Sequence, residues 1–500
     1  MSPAPQRYGM EGAGGGPRRE RAFLAERLTG PESARAGFGP NDVGPVIADI
    51  ARTRLEQLAE YRRRLAETVP DAVGLAPQPP PGPNWVPIGP LVARRGQAAT
   101  EPLVSGRVPC LAVSEDGRRV YVAAANGGVW ASSDAGRTWQ SRSDEFDVDP
   151  TQQQVDSLAC GAIALVDGGS SDQDRLYVGT GEGFTVFQGL FPSTGAYLGV
   201  GPLSSPDGGR TWVREATATS LLGHAFFGLA VDPGDADHVM GATTDGVYRR
   251  TVTGGTATWA REAMPAGIPD NSEISSVVAS RDGATTTFHA AVTGTGVVTA
   301  SITGGVLSAW TRLEPGSFPA GSGRMSLAVS ATTPRVLYVL IANPSPDTLQ
   351  GVYRLDLGDA ALRWRQVNGV DPQLFGAPPA TGTQGSYDQA IAVDPGNADR
   401  FVVGGSIKLH SGEWSGAIER CTVETRGAGA TRTYVAHGDA IGAAVHGDIH
   451  WLAYRGSDEL WCGCDGGVFV SRRPRDNGRI FSPCNTGLVT MTLNGLDHHP

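Results

Sequence analysis

One eight-residue string occurs twice: Ser132-Ser133-Asp134-Ala135-Gly136-Arg137-Thr138-Trp139 and Ser205-Pro206-Asp207-Gly208-Gly209-Arg210-Thr211-Trp212. Each fixed position of this S-x-D-x-G-x-T-W pattern answers one demand of a tight β-turn. The Asp carboxylate accepts backbone N–H groups across the turn, and the Ser hydroxyl does the same more weakly. Gly136 and Gly209 supply the positive φ that a Cβ opposes. Thr begins the next strand, and Trp139 and Trp212 bring a large apolar anchor with one N–H to satisfy. Two copies in one chain point to a repeat architecture.

From Trp85 onward one unit recurs. It opens with an alternating strand over Val108–Val113, then a second over Val120–Ala124 and a third over Gly128–Ser132. The Asp turn and a Trp-led fourth strand complete it. Comparable units span 157–215, 224–262, 275–313, 323–367, 386–437 and 444–488. Trp139, Trp212, Trp259, Trp310 and Trp364 fall about 45 to 75 residues apart, a spacing suited to four-stranded propeller blades. The Asp turn erodes along the chain. Thr253-Gly254-Gly255 and Thr303-Gly304-Gly305 keep Gly without Asp, and Asp356 with Gly358 keeps a trace. Such erosion fits a structural turn better than a catalytic element.

Composition agrees. The 500 residues include 69 Gly and 35 Pro with only 18% charged, a profile of many short strands joined by turns. The net charge of −10 argues against a nucleic-acid partner, which calls for a basic face. No apolar run approaches the ~18 residues of a membrane span. The N-terminus lacks the apolar core of a secretory signal, which points to the cytoplasm. The six cysteines have no disulfide-framework spacing and read as buried thiols, the pair Cys462 and Cys464 included.

Residues 1–83 differ from the rest. Ile47, Ile50, Leu55, Leu58, Tyr61 and Leu65 form an apolar stripe at helical spacing, either packing on the body or docking a partner. A Pro-rich linker from Pro77 to Pro83 follows. The expected division is thus an extension over 1–83, a propeller over 84–490 and the start of a further blade over 491–500. Trp85–Pro90 reads as an orphan fourth strand and Met491–Asp497 as an orphan first strand, as though Pro500 truncated a longer protein.

The stretch from Gly106 to Trp139, with GRV…VYVAAANGGVWASSDAGRTW, resembles the BNR/Asp-box β-propellers related to sialidases, xyloglucanase-type glycoside hydrolases and sortilin ectodomains. YVGTGEG (Tyr177–Gly183), GSYDQAIAVDPGNADRFVVGG (Gly385–Gly405), VHGDIH (Val445–His450) and CDGGVF (Cys464–Phe469) are similar, in order, to a bacterial branch described as glycosyl hydrolases. The resemblance covers about Trp85 to Pro500. It implies an all-β propeller of about seven four-stranded blades and, since its members are usually exported, an extracytoplasmic location. It speaks less to activity, because the fold hosts many functions. The F/Y-R-I-P signature of sialidases and the Gly-rich opening motif of xyloglucanases are both absent.

Polar candidates remain. On a strand, His446, Asp448 and His450 would share one face as a metal site, a polar channel lining or a substrate contact, the outer two being ~13 Å apart at Cα. Glu182 ends a strand in a Gly-rich loop and suits a general acid at a channel mouth or a cap for backbone N–H groups, and Asp448 is a second catalytic candidate. Tyr387, Asp388 and Asp465 are further lining candidates. Phe184–Leu203 and Gly412–Gly429 read as loop insertions, and Trp414 in the second would stack on a sugar or pack between blades. The expected function is a binding or interaction module for carbohydrate or protein. No cofactor is required, although a metal ion fits the His446–His450 stretch. The alternatives are a glycoside hydrolase and a cytosolic scaffold docked through its N-terminal helix.

Overall fold

The computed structural model describes residues 92–490, apart from 94–95, 99, 144–157, 184–196, 331–334, 361, 377–382, 411 and 479. The N-terminal helix, the linker, Trp85–Pro90 and Met491–Asp497 lie outside the described residues.

Among the described residues the strands form six sheets, one of them an eight-stranded sheet in which the outer strands of two successive blades pair in parallel, and together they make seven successive blades. Their inner strands are Cys110–Val113, Cys160–Val166, Phe226–Asp232, Ile274–Asp282, Met325–Val329, Ala390–Val393 and Ile449–Arg455. Each inner strand neighbours that of the next blade, and the seventh neighbours the first, so the ring is closed. The expected all-β propeller is found.

Blades pack against one another on both faces, so that several second strands are buried along their whole length rather than on alternate residues. Val120–Ala124, Val336–Ala342 and Glu459–Cys464 are buried at every position. Between blades 5 and 6, Tyr338, Leu340, Phe401 and Val403 belong to one continuous core. All six cysteines are buried and unpaired, as expected. Cys462 and Cys464 both enter the core of blades 6 and 7.

The twin Asp turns join third to fourth strands and have matching geometry. Asp134 accepts from Ser132 Oγ at 2.8 Å, from the N–H groups of Arg137 and Thr138 at 3.1 and 2.8 Å, and from Thr138 Oγ1 at 2.7 Å. Asp207 repeats the set with Ser205, Arg210 and Thr211 at 2.8, 3.0, 2.9 and 2.7 Å. Gly136 and Gly209 donate to the Ser hydroxyls, with φ of 78° and 86°. Burial works against charge on Asp134 and Asp207, but these donors outweigh it and hold both carboxyls below the ordinary value. Trp139 Nε1 donates to Cys484 O of blade 7, and Trp212 Nε1 to Arg142 O of blade 1, each at 2.7 Å. The motif therefore rivets each blade to the one before it.

One loop expectation is corrected. Gly412–Gly429 is not a loop insertion: Glu413–Arg426 is a 14-residue strand paired on both edges, with Arg400–His410 and with Thr433–Ala440. Its glycines and polar residues conceal a strand that these neighbours stabilise. Of Phe184–Leu203, the described part enters the third strand of blade 2 at Pro202–Ser205.

Candidate active site at the propeller axis

Inner and second strands run antiparallel, with Cys110 opposite Ala123, Cys160 opposite Thr180, Ala390 opposite Gly404 and Ile449 opposite Cys464. A residue just before an inner strand and one just after a second strand therefore emerge on the same face of the ring. Arg107, Tyr387, Asp388 and Asp448 take the first position, and Glu182 and Asp465 the second. Blades 1, 2, 6 and 7 are contiguous around the ring, so these residues gather at one sector of the axial mouth.

Arg107 is the hub. Its Nη1 donates to Tyr387 Oη at 2.7 Å and its Nη2 to Glu182 Oε2 at 3.1 Å. The guanidinium carbon lies 5.5 Å from the ring centre of Tyr197 and 5.4 Å from that of Tyr387, within cation–π range of both. Tyr387 Oη donates to Asp465 Oδ2 at 2.6 Å, and His450 Nε2 lies 2.7 Å from Asp465 Oδ1. The Tyr387 and His450 rings meet edge to face at 4.8 Å. Burial alone would raise Asp465, but His450, Arg107 and Tyr387 hold it below the ordinary carboxylate value. Burial lowers His450 despite Asp465, favouring the neutral imidazole. It also raises Tyr387, and the Asp465 charge adds to this.

Asp388 is fully buried, and neither of its oxygens meets a donor among the described residues. Burial drives its carboxyl well above the usual range, and the charges of Asp448 and Asp465 push the same way. Asp448 is raised by its own burial and by Asp465. Its Oδ1 lies 3.3 Å from Ser406 Oγ. Asp448 and Asp465 are held side by side, with Asp465 N–H donating to Asp448 O at 3.2 Å. Two adjacent, partly exposed carboxyls are thus pushed in opposite directions.

The strand placement of His446, Asp448 and His450 is corrected. The inner strand begins only at Ile449, and Asp448 has φ of 63°, so the alternation that would align the three fails. His446 Nδ1 turns to Gly447 O at 3.1 Å, whereas His450 is buried against Asp465. No group of three His, Cys, Asp or Glu side chains among the described residues is placed to hold a metal. Glu182 is fully buried as the partner of Arg107, not open to the mouth as a general acid requires. Trp414 is 39% exposed.

Sequence reading missed Arg107, Tyr197 and Arg324. Arg324 precedes the inner strand of blade 5 and donates from Nη1 to the carbonyls of Ser386 and Tyr387 at 2.9 and 2.6 Å. Burial lowers its guanidinium to about 10, still charged at neutral pH. Both arginines sit directly before inner strands, and that position was the available signal. Arg324 and His450 also line an axial cavity of about 410 Å³. A larger cavity of about 560 Å³ lies between blades 2 and 3. Its charged lining is internally paired, Arg250 with Glu215 and Asp237, and it is remote from the carboxyl cluster.

No family model and no curated protein matches the chain. Among solved structures, an ancestral GH74 enzyme is similar at 16% identity and a TM-score of 0.51, over 78% of this chain and 48% of that one. A GH74 enzyme of Niastella koreensis is similar at 15% identity and a TM-score of 0.48, over 79% and 56%. YCF48 bound to D1 peptide is similar at 12% identity and a TM-score of 0.43, over 74% and 94%. The chain therefore spans about half the length of the GH74 enzymes. The first of these likenesses shows the β-propeller fold. No helix among the described residues is long and apolar enough to cross a membrane.

Proposed function

We propose that the chain is a ligand-binding propeller whose axial mouth takes a polyhydroxylated, sugar-like ligand. The observation that carries this reading is the partly exposed pair Asp448 and Asp465, backed by the Arg107–Tyr387–His450 network. Carboxylate oxygens fixed by buried donors are pre-organised acceptors for ligand hydroxyls, and a guanidinium beside them supplies donors. Tyr197, 39% exposed and within cation–π range of Arg107, adds an apolar face for a sugar ring.

Calorimetric titration with a panel of oligosaccharides tests this. Asp465→Asn removes the charged acceptor of Tyr387 and His450 and is expected to weaken binding at least tenfold, about 1.4 kcal/mol, while the protein stays folded. Absence of binding by the unmodified protein across the panel overturns the proposal.

A second reading, glycoside hydrolysis, is favoured by the opposite shifts of Asp448 and Asp465. A raised carboxyl beside a lowered one is the acid-and-base division that such chemistry uses. Asp448 would donate the proton and Asp465 would act as nucleophile or base. Reducing-end release in the same samples separates the readings: Asp448→Asn abolishes release under the second and leaves none to abolish under the first.

A further inference from the structure

Blade 6 carries a hairpin that outgrows its neighbours. The inner strand begins at Ala390, opposite Gly404, but the second strand continues to His410 and the third begins at Glu413. The excess projects on the mouth face. Its base is part of the site, since Ser406 Oγ donates to Gln384 Oε1 at 2.7 Å and lies 3.3 Å from Asp448 Oδ1. Gly416 N–H donates to Val445 O at 2.9 Å, and a Cβ on Gly447 would strike Ile407 at 2.3 Å. The hairpin therefore leans on the segment that carries His446 and Asp448.

Register decides which way its tip faces. Ile407 pairs with Gly416 and Leu409 with Trp414, and the alternation of side chains puts Ile407, Leu409 and Trp414 on one face. That face covers Gly447. Lys408, on the other, turns away to pair with Asp371. Leu409 and Trp414 nonetheless remain 54% and 39% exposed. Leu409 stands three residues beyond Ser406, ~10 Å along the strand. An indole and a leucine held side by side in solvent above a polar site form an apolar platform. Tyr197 provides another at the blade 2 end of the same sector, with Arg107, Asp465 and Asp448 between them.

We infer that the mouth accepts an extended oligosaccharide, and that Trp414 with Leu409 forms an outer subsite stacking on a sugar ring beyond those held at Asp448 and Asp465. The inference rests on the sugar-binding reading of the mouth and adds that the ligand is a linear chain, not a terminal residue.

Linear oligosaccharide ladders of several backbone types, each from disaccharide to hexasaccharide, provide the test by titration calorimetry. With the ladder that binds, affinity rises with length. Trp414→Ala weakens the hexasaccharide about tenfold and leaves the disaccharide unchanged, and Trp414→Phe restores most of the loss. An unchanged melting midpoint verifies folding. Binding that does not depend on length, or that ignores Trp414→Ala for the hexasaccharide, overturns the outer subsite while leaving the mouth reading intact. No binding by any ladder overturns both.

Discussion

At the scale of single residues, the twin turns form an internal control. Ala135 and Gly208 occupy the same position, and both adopt a left-handed backbone, with φ of 61° and 70°. Ala pays for that conformation through its Cβ, at a cost of about 1–2 kcal/mol, partly offset because Gly loses more freedom on folding. Ala135→Gly is therefore expected to stabilise the protein by about 0.5–1 kcal/mol, read as a higher midpoint in urea. Gly208→Ala should destabilise it by more, since the added Cβ would also meet Ser171 O at 2.2 Å. Equal and negligible effects would show that the turns carry no backbone strain. Turn chemistry was legible in the sequence because it is local, the Ser, Asp and Thr side-chain bonds of each motif closing within four residues. The roles of the mouth residues are not local in this sense. Glu182 looks like a free carboxyl in sequence because nothing nearby announces that Arg107, 75 positions away, covers it.

At the scale of the strand, pattern reading succeeded where burial dictates composition and failed where pairing does. Val120–Ala124 and Gly128–Ser132 are found as expected. Glu413–Arg426 is held by its two neighbours rather than by its own propensity, and Asp448 breaks the alternation just before its strand. The second strand of blade 4, Thr285–Val292, carries a different irregularity. His289 sits in it fully enclosed, with neither ring nitrogen bonded among the described residues. Burial lowers its pKa to about 4, and the Arg335 charge acts in the same direction. The folded state thus binds the proton less readily than the unfolded chain, whose His titrates near 6.5. Stability is complete above about 6.5 and falls as the pH drops towards about 4, by at most roughly 3 kcal/mol. His289→Leu is expected to flatten this part of the pH profile with little loss at pH 7. Urea midpoints at pH 7 and 5 measure it, and an unaltered acid limb in the variant would place the lability in other groups.

At the scale of the molecule, ring closure and site assembly are one event. Blade 7 contains no strand from the start of the described chain, so the seam is closed by reciprocal crossing. Ser105 and Val108 N–H donate to Gly466 O and Cys464 O at 2.9 and 3.1 Å, carrying the segment that bears Arg107 onto blade 7. In return, Thr490 Oγ1 accepts from Gly106 N–H at 3.0 Å and lies 2.9 Å from Ser105 Oγ, while Trp139 Nε1 reaches Cys484 O. Arg107 meets Tyr387 across 280 residues of sequence, a contact that exists only in the closed ring. This is why the fold could be read from repeats and the site could not: blades repeat, but the mouth is made where unlike blades meet. It follows that Thr490, which touches no mouth residue, should govern the mouth. Thr490→Val is expected to cost about 1–2 kcal/mol of stability. Combined with Ser105→Ala, it should cost less than the sum of the two, because both act in one network. The same variant should weaken oligosaccharide binding by loosening Arg107, with faster amide exchange at Val108 as the accompanying sign. Lower stability with unchanged affinity would show instead that Tyr387 and Glu182 hold Arg107 in place without the seam.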